Sequence, residues 1–329
     1  MEKKQVVFLS LLAFTLVGAG WLAGNAFATK PPREATRPLR DISRELQLVE
    51  PLLAVGDFEL LRDFDSLKRT LEQDISKYKT EKSVKRVSVY YRDLESGRWM
   101  GIDENELYAP ASMYKVALMI TLLKAAQTNP QLLNTQLVFR GSPNILGEAE
   151  PVPRLRVGES YSVSELLNYL IVYSDNDAKN LLHTIVSPKA EREVFTDLGL
   201  TPPASNDTGD SLSAKEYSIF FRILFNGTYI WPTFSERALK LLSQPEFTAG
   251  LVAGVPKEVT TAHKFGRRVF DATKTTPVKE ELHDCGNIYL KDRPYFLCVM
   301  TEGWSDIVLS GIISDISKTV YDYTVREYR

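Results

Sequence analysis

Apolar residues fall at helical spacing through Phe58, Leu61, Phe64, Leu67, Leu71, Ile75 and Tyr78, a single stripe that predicts a long amphipathic first helix. The period then changes. Val87, Val89 and Tyr91 alternate along a strand, and Glu95-Ser96-Gly97 turns the chain toward Trp99 and Met100. From Ser112 to about Ser243 the pattern is mostly helical again. Ser162-Val163-Ser164-Glu165 is a capping box ahead of Leu166, Leu167, Leu170 and Ile171, a further helix is expected from Ala178 to Ile185, and Ser213-Ala214-Lys215-Glu216 opens another. Strands are expected around 259–264, 285–290 and 295–300, then a last helix from Asp306 to Tyr323 with Ile307, Ile312, Ile316 and Val320 inward. Periodicity alone supports helices combined with an antiparallel sheet, an α+β class.

Three short stretches carry candidate chemistry. Ser112-Met113-Tyr114-Lys115 follows Pro110 and runs into Val116 to Ile120, so Ser112 is expected near a helix N-terminus with Lys115 one turn on. That pairs a nucleophile with an amine, and a lysine amine serves as base once burial or cationic neighbours lower its pKa. Ser174-Asp175-Asn176 sits at the break between two predicted helices, where Ser174 and Asn176 can project into a cleft. His263-Lys264-Phe265-Gly266 ends a β-rich run and places a lysine on a strand edge. Singly, each has a bland reading as helix start, helix cap or exposed strand lysine. Their order is what adds weight.

S-x-x-K, then S-D-N, then K-x-G is the combination of class A β-lactamases and penicillin-binding proteins, and the chain resembles that family over about residues 56–329. Val87 to Tyr91 looks like the family's first strand, and Gly286 to Leu290 with Arg293 to Leu297 like its last hairpin. The resemblance implies a β-lactamase/transpeptidase-like fold: an α/β lobe of residues 56–110 and 255–329 beside a helical lobe of residues 111–254. It implies that Ser112 attacks a carbonyl carbon, Lys115 accepts or relays the proton, and Ser174 passes a proton to the leaving nitrogen. Asn176 would hold the acyl side-chain amide and Lys115, and Lys264 would attract a substrate carboxylate and tune Ser174. The oxyanion hole would combine the N–H of Ser112 with one just beyond Gly266, from Arg267 or Arg268.

Two departures stand out. Phe265 replaces the small hydroxyl residue of the usual K-T-G, which leaves carboxylate recognition to Arg267 or Arg268. Lys274-Thr275-Thr276 fits the third motif worse, having no Gly and lying in a polar stretch from Asp271 to Glu281 that reads as a loop. The loop glutamate that activates the deacylating water in class A enzymes is also missing. Between Leu200 and Leu212 the only carboxylates are Asp207 and Asp210, in turn-like surroundings. Three readings follow: a β-lactamase-like hydrolase forming an acyl-enzyme on a β-lactam; a D,D-peptidase of peptidoglycan stem peptides with slow lactam deacylation; or a catalytically impaired binding protein of the same fold.

Composition narrows the partners. With 44% hydrophobic residues and a net charge of −2, the 329-residue chain has neither a basic stripe nor an aromatic-interleaved patch for nucleic acid. His183, His263 and His283 show no metal-ligand spacing and no Ser/His/Asp arrangement, so they are expected in the core or in hydrogen bonds, with no metal and no cofactor. One two-lobed unit, a monomer, is expected. Lys3 and Lys4 before an apolar run from Val6 to about Gly24, closed by Ala26-Phe27-Ala28, predict export, with residues 1–28 as signal peptide or membrane anchor and residues 29–55 as a Pro-rich stalk. Cys285 and Cys298 are expected as two buried thiols, because a diagonal cross-strand pair would strain a disulfide.

Overall fold

The computed structural model describes residues 64–82, 84–141, 153–203, 211–270 and 279–326, with the shorter segments 39–40, 46–50 and 52–54. Phe58, Leu61, Asp207, Asp210, Lys274 to Thr276 and the N-terminal apolar run lie outside them. Helix α1 spans Asp65–Glu81, and strands β1 (Arg86–Asp93) and β2 (Trp99–Ile102) follow as a hairpin. Its turn is held by the Ser96 N–H, which donates to Asp93 Oδ1 at 2.6 Å, and Gly97 takes a φ of +74° that a side chain would strain. Helices α2 (Lys115–Thr128), α3 (Val163–Ile171), α4 (Asn176–Leu182), α5 (Pro188–Asp197), α6 (Ala214–Asn226) and α7 (Pro232–Leu242) form the helical part. Strands β3 (Thr261–Val269), β4 (Glu280–Ile288) and β5 (Tyr295–Gly303) and helix α8 (Asp306–Arg326) close the chain.

The five strands pair antiparallel in the order β2-β1-β5-β4-β3, so β3 is an edge. Both faces of the sheet are covered. Val87, Val89, Tyr91, Leu282, Leu297 and Val299 pack on Leu67, Leu71 and Ile75 of α1 and on Leu309, Ile312, Ile316 and Val320 of α8. The opposite face puts Tyr90, Ala262, Phe296 and Met300 against the helical part. Double coverage is why β5 is buried at every position rather than at alternate ones. In α8, Ile312, Ile316 and Val320 point inward as expected, whereas Ile307, in the first turn, is 80% exposed. Ile307 lies on the side of the helix opposite Leu309 and Ile316, which are buried, and so faces away from the sheet.

Part of the span read as a stalk belongs to the folded unit. Leu48 and Val49 are buried, and both of their N–H groups donate to Glu236 Oε2, at 2.7 and 3.1 Å. The Glu50 N–H donates to the Phe225 carbonyl, and Tyr289 Oη donates to the Leu48 carbonyl. Proline content marked residues 29–55 as linker, but composition does not reveal long-range backbone pairing. Among the described residues no helix is long and apolar enough to cross a membrane.

The cysteines also depart from expectation. The hairpin sets Ile288 opposite Tyr295, which places Cys285 directly across from Cys298, and the two form a disulfide rather than remaining as thiols. With a sequence separation of 13, chain-entropy arguments give the bridge a stabilisation of about 3 kcal/mol. A thiol count on the denatured, unreduced protein should therefore be zero, and reduction should lower the unfolding free energy by about that amount, read from denaturant titration with and without reductant.

Candidate active site

The segment leading to Ser112 is tied down carbonyl by carbonyl. Leu107–Tyr108 pairs with Leu212–Ser213, and the Ser211 N–H donates to the Tyr108 carbonyl at 2.9 Å. His283 Nε2 donates to the Ala109 carbonyl at 3.2 Å; Nδ1 of the same ring accepts the Thr301 N–H, which leaves Nε2 as the protonated nitrogen. The Met113 N–H donates to the Pro110 carbonyl, and buried Tyr217 donates its hydroxyl to the Met113 carbonyl. Ala111 sits between these anchors at φ +48°, a left-handed backbone that costs an alanine roughly 1–2 kcal/mol. The anchors hold it there. Ser112 then lies in a short 3-10 turn, Ala111–Tyr114, and the Lys115 N–H closes back on the Ser112 carbonyl.

Strand β3 meets this turn through a glycine. A Cβ at Gly266 would lie 2.4 Å from the Pro110 carbonyl oxygen and 2.9 Å from Met113 Cγ, so only a residue without a side chain lets the edge strand pass so close to Ser112. Lys264, two residues earlier on the same face, is 0% exposed and donates from Nζ to Ser174 Oγ at 2.9 Å. Lys115, also buried, donates to the same Oγ at 3.2 Å and to the Ser174 carbonyl. Ser174 is itself left-handed, at φ +52°, in the turn between α3 and α4. Asp175 caps α4 by accepting the Ala178 N–H at 2.6 Å, and Asn176 opens that helix with an exposed side chain.

Electrostatics follow from this packing. Burial, and then the charge of Lys115, hold the Lys264 ammonium well below the usual lysine range; the Asp284 carboxylate opposes them from the other face of the sheet. Asp284 in turn accepts from the Leu251 N–H and sits 2.7 Å from His263 Nδ1. A serine hydroxyl has two lone pairs and one proton. With both lone pairs of Ser174 Oγ taken by lysines, its proton is free to be given elsewhere, into the cleft.

The structure thus brings Lys115, Ser174 and Lys264 together and sets Gly266 against the turn that carries Ser112. The two arginines do not gather with them. Arg267 points to the α8 side of the sheet, where its guanidinium is 2.8 Å from Asp306. Arg268 lies over the Phe270 ring, 4.4 Å from its centroid. His263 and His283 are buried and hydrogen-bonded, but His183 is exposed, 3.8 Å from Glu191, and is not a core residue. Among the described residues no cluster could hold a metal ion. His283 and Tyr217, which hold the Ser112 segment, carried no local signal; each acts across more than a hundred residues of sequence.

An antiparallel sheet under terminal helices, with a helical part against its other face, is the architecture of the β-lactamase and penicillin-binding protein fold. Solved structures bear this out: the penicillin-binding protein PBP-A superposes with a TM-score of 0.65 at 21% identity, covering 78% of this chain and 96% of its own, and TLA-1 extended-spectrum β-lactamase with 0.66 at 17%, covering 80% and 99%. The chain belongs to the β-lactamase enzyme family, whose model matches residues 68–324. β-Lactamase L2 of Stenotrophomonas maltophilia is 36% identical over 121 residues, a match that spans 36% of this chain and 39% of that relative.

The close passage of β3 is directly testable. Gly266→Ala should lose about 1–3 kcal/mol of stability, because the clash is with a backbone oxygen that cannot swing away. A thermal melt unchanged from the parent would contradict the contact with Pro110.

Proposed function

We propose that this protein is a serine acyl hydrolase that forms a covalent acyl-enzyme through Ser112. The observation that carries the reading is the convergence of Lys115 and Lys264 on the hydroxyl of Ser174. Ser112 Oγ attacks the carbonyl carbon of a β-lactam or D-alanyl peptide, and its proton passes to Lys115 Nζ. Ser174 gives its own proton to the leaving nitrogen as the C–N bond breaks and is reprotonated from the lysine, so the leaving group gains one proton for the one that Ser112 loses and both side chains that relay it are restored. The N–H groups of Ser112 and of Arg267 or Arg268 beyond Gly266 hold the developing oxyanion, and Asn176 holds the acyl side-chain amide. The leader-like residues 1–28 support action outside the cytoplasm, on cell-wall-related substrates.

Within this chemistry a slow-deacylating, penicillin-binding peptidase fits better than a fast lactamase. Deacylation needs a water held and deprotonated behind the ester, and no glutamate lies between Leu200 and Leu212 to do so. Losing general-base help of about 10²- to 10⁴-fold raises the barrier by roughly 3–5 kcal/mol.

Ser112→Ala should abolish labelling by a fluorescent penicillin, and Lys115→Ala should slow acylation by about 10²- to 10⁴-fold while leaving the melt of the folded protein recognisable. Labelling of the alanine variant at parental strength would reassign the nucleophile. Intact-protein mass spectrometry after a penicillin pulse should show one adduct that persists over many minutes; nitrocefin hydrolysis at hundreds of turnovers per second would instead place a water-activating base somewhere in this chain.

A further inference from the structure

The leaving-group side of the cleft is aromatic. Phe265 leans over the amine of Lys264, with its ring centroid 4.2 Å from Nζ, and that Nζ is the group bonded to Ser174 Oγ. The Phe265 ring is thus the aromatic surface next to the amine that serves Ser174, although it also packs against the core on the α8 side. Phe247, from the loop after α7, stacks on the same ring with centroids 4.3 Å apart and planes inclined by 24°, and both rings remain partly accessible. Among the described residues, the neighbouring cations of this strand are occupied. Lys264 is 0% exposed beneath the ring and spends its donors on Ser174 Oγ and the Phe265 carbonyl. Arg267 is matched by Asp306 on the α8 side of the sheet.

We infer that this end of the cleft selects an uncharged, apolar leaving group rather than a carboxylate, with Phe265 and Phe247 as the specificity-determining residues. The inference rests on the acyl-enzyme reading and narrows its substrate class to acyl donors whose leaving group carries no free carboxylate, which sets the D-alanyl peptide terminus aside. Among the described residues the neighbouring cations of this strand are buried, as Lys264 is, or already paired, as Arg267 is, so an anion brought there recovers little of its lost hydration and meets the faces of two aromatic rings, whose quadrupoles repel it. An apolar or aromatic group gains burial and ring contact at the same place.

The test compares benzylpenicillin with its methyl and benzyl esters, following adduct formation on the full-length protein by intact mass. In the parent the benzyl ester should acylate Ser112 about 10-fold or more faster than the free acid, the scale of one good apolar contact. Phe265→Ser uncovers Lys264 and should swing the ester-to-acid ratio by at least about 10-fold toward the acid, while Phe265→Tyr keeps the ring and should keep the ratio. Phe247→Leu leaves β3 untouched and should move the ratio in the same direction as Phe265→Ser, so the readout survives if the serine variant folds poorly. Faster acylation by the acid in the parent, or a ratio unchanged in both ring-removing variants, overturns this inference while leaving the acyl-enzyme reading in place. Failure of all three compounds to form an adduct on the parent overturns both.

Discussion

Two lysine side chains share one serine hydroxyl, and the rest of the molecule is arranged to make that arrangement bearable. Burying Lys115 and Lys264 side by side sets desolvation and like-charge repulsion against folding, and the cost is met only if each amine finds an acceptor. Ser174 supplies its Oγ to both, and its carbonyl to Lys115. It reaches that position in a left-handed turn, an unfavourable backbone that persists because Asp175 caps the next helix and the Asp175 N–H is held by the Tyr169 carbonyl. Strain at Ser174 and charge at the lysines are thus mutually dependent.

The sheet supplies the rigid side of this arrangement. Lys264 rides on an edge strand, and edge strands are ordinarily the mobile part of a sheet. Here β3 is held from several directions: by its ladder with β4, by the passage of Gly266 against Pro110, and by His263 bonded to Asp284 on the far face. The disulfide lies in the same cross-strand row as Lys264, since Cys285 faces Lys264 on one side and Cys298 on the other. Covalent and hydrogen-bonded restraints therefore converge on the position of one amine.

Local signals in the chain announce what is local in the structure. The Ser162 and Ser213 capping boxes, the break at Ser174 and each of the three motifs taken singly are written within a few residues, and their elements form where expected. What depends on distant partners is silent. Nothing near Leu48 indicates that its backbone will meet Glu236, and nothing near His283 indicates that it will hold the Ala109 carbonyl. The cysteine pairing turned on a register choice between directly opposite and diagonal, which a four-residue turn leaves undecided until strand pairing is known. Phe265 was legible as a departure, but its stacking partner Phe247 was not, since it lies eighteen positions earlier in the loop after α7 with no local signal linking the two.

The strap formed by Leu48 and Val49 has a bearing on the order of assembly. Its partners lie far ahead in synthesis: Glu236 is 188 positions beyond Leu48, and Tyr289 is 241. Strand β1 waits over a comparable span, because its neighbour at the centre of the sheet is β5, late in the chain. Apolar surface on both segments stays unmatched while the intervening two hundred residues emerge, the circumstance in which long-range pairing is slow and misassembly is favoured. The final strand and helix then complete the sheet that positions Lys264, so a growing chain acquires its chemistry in one late step.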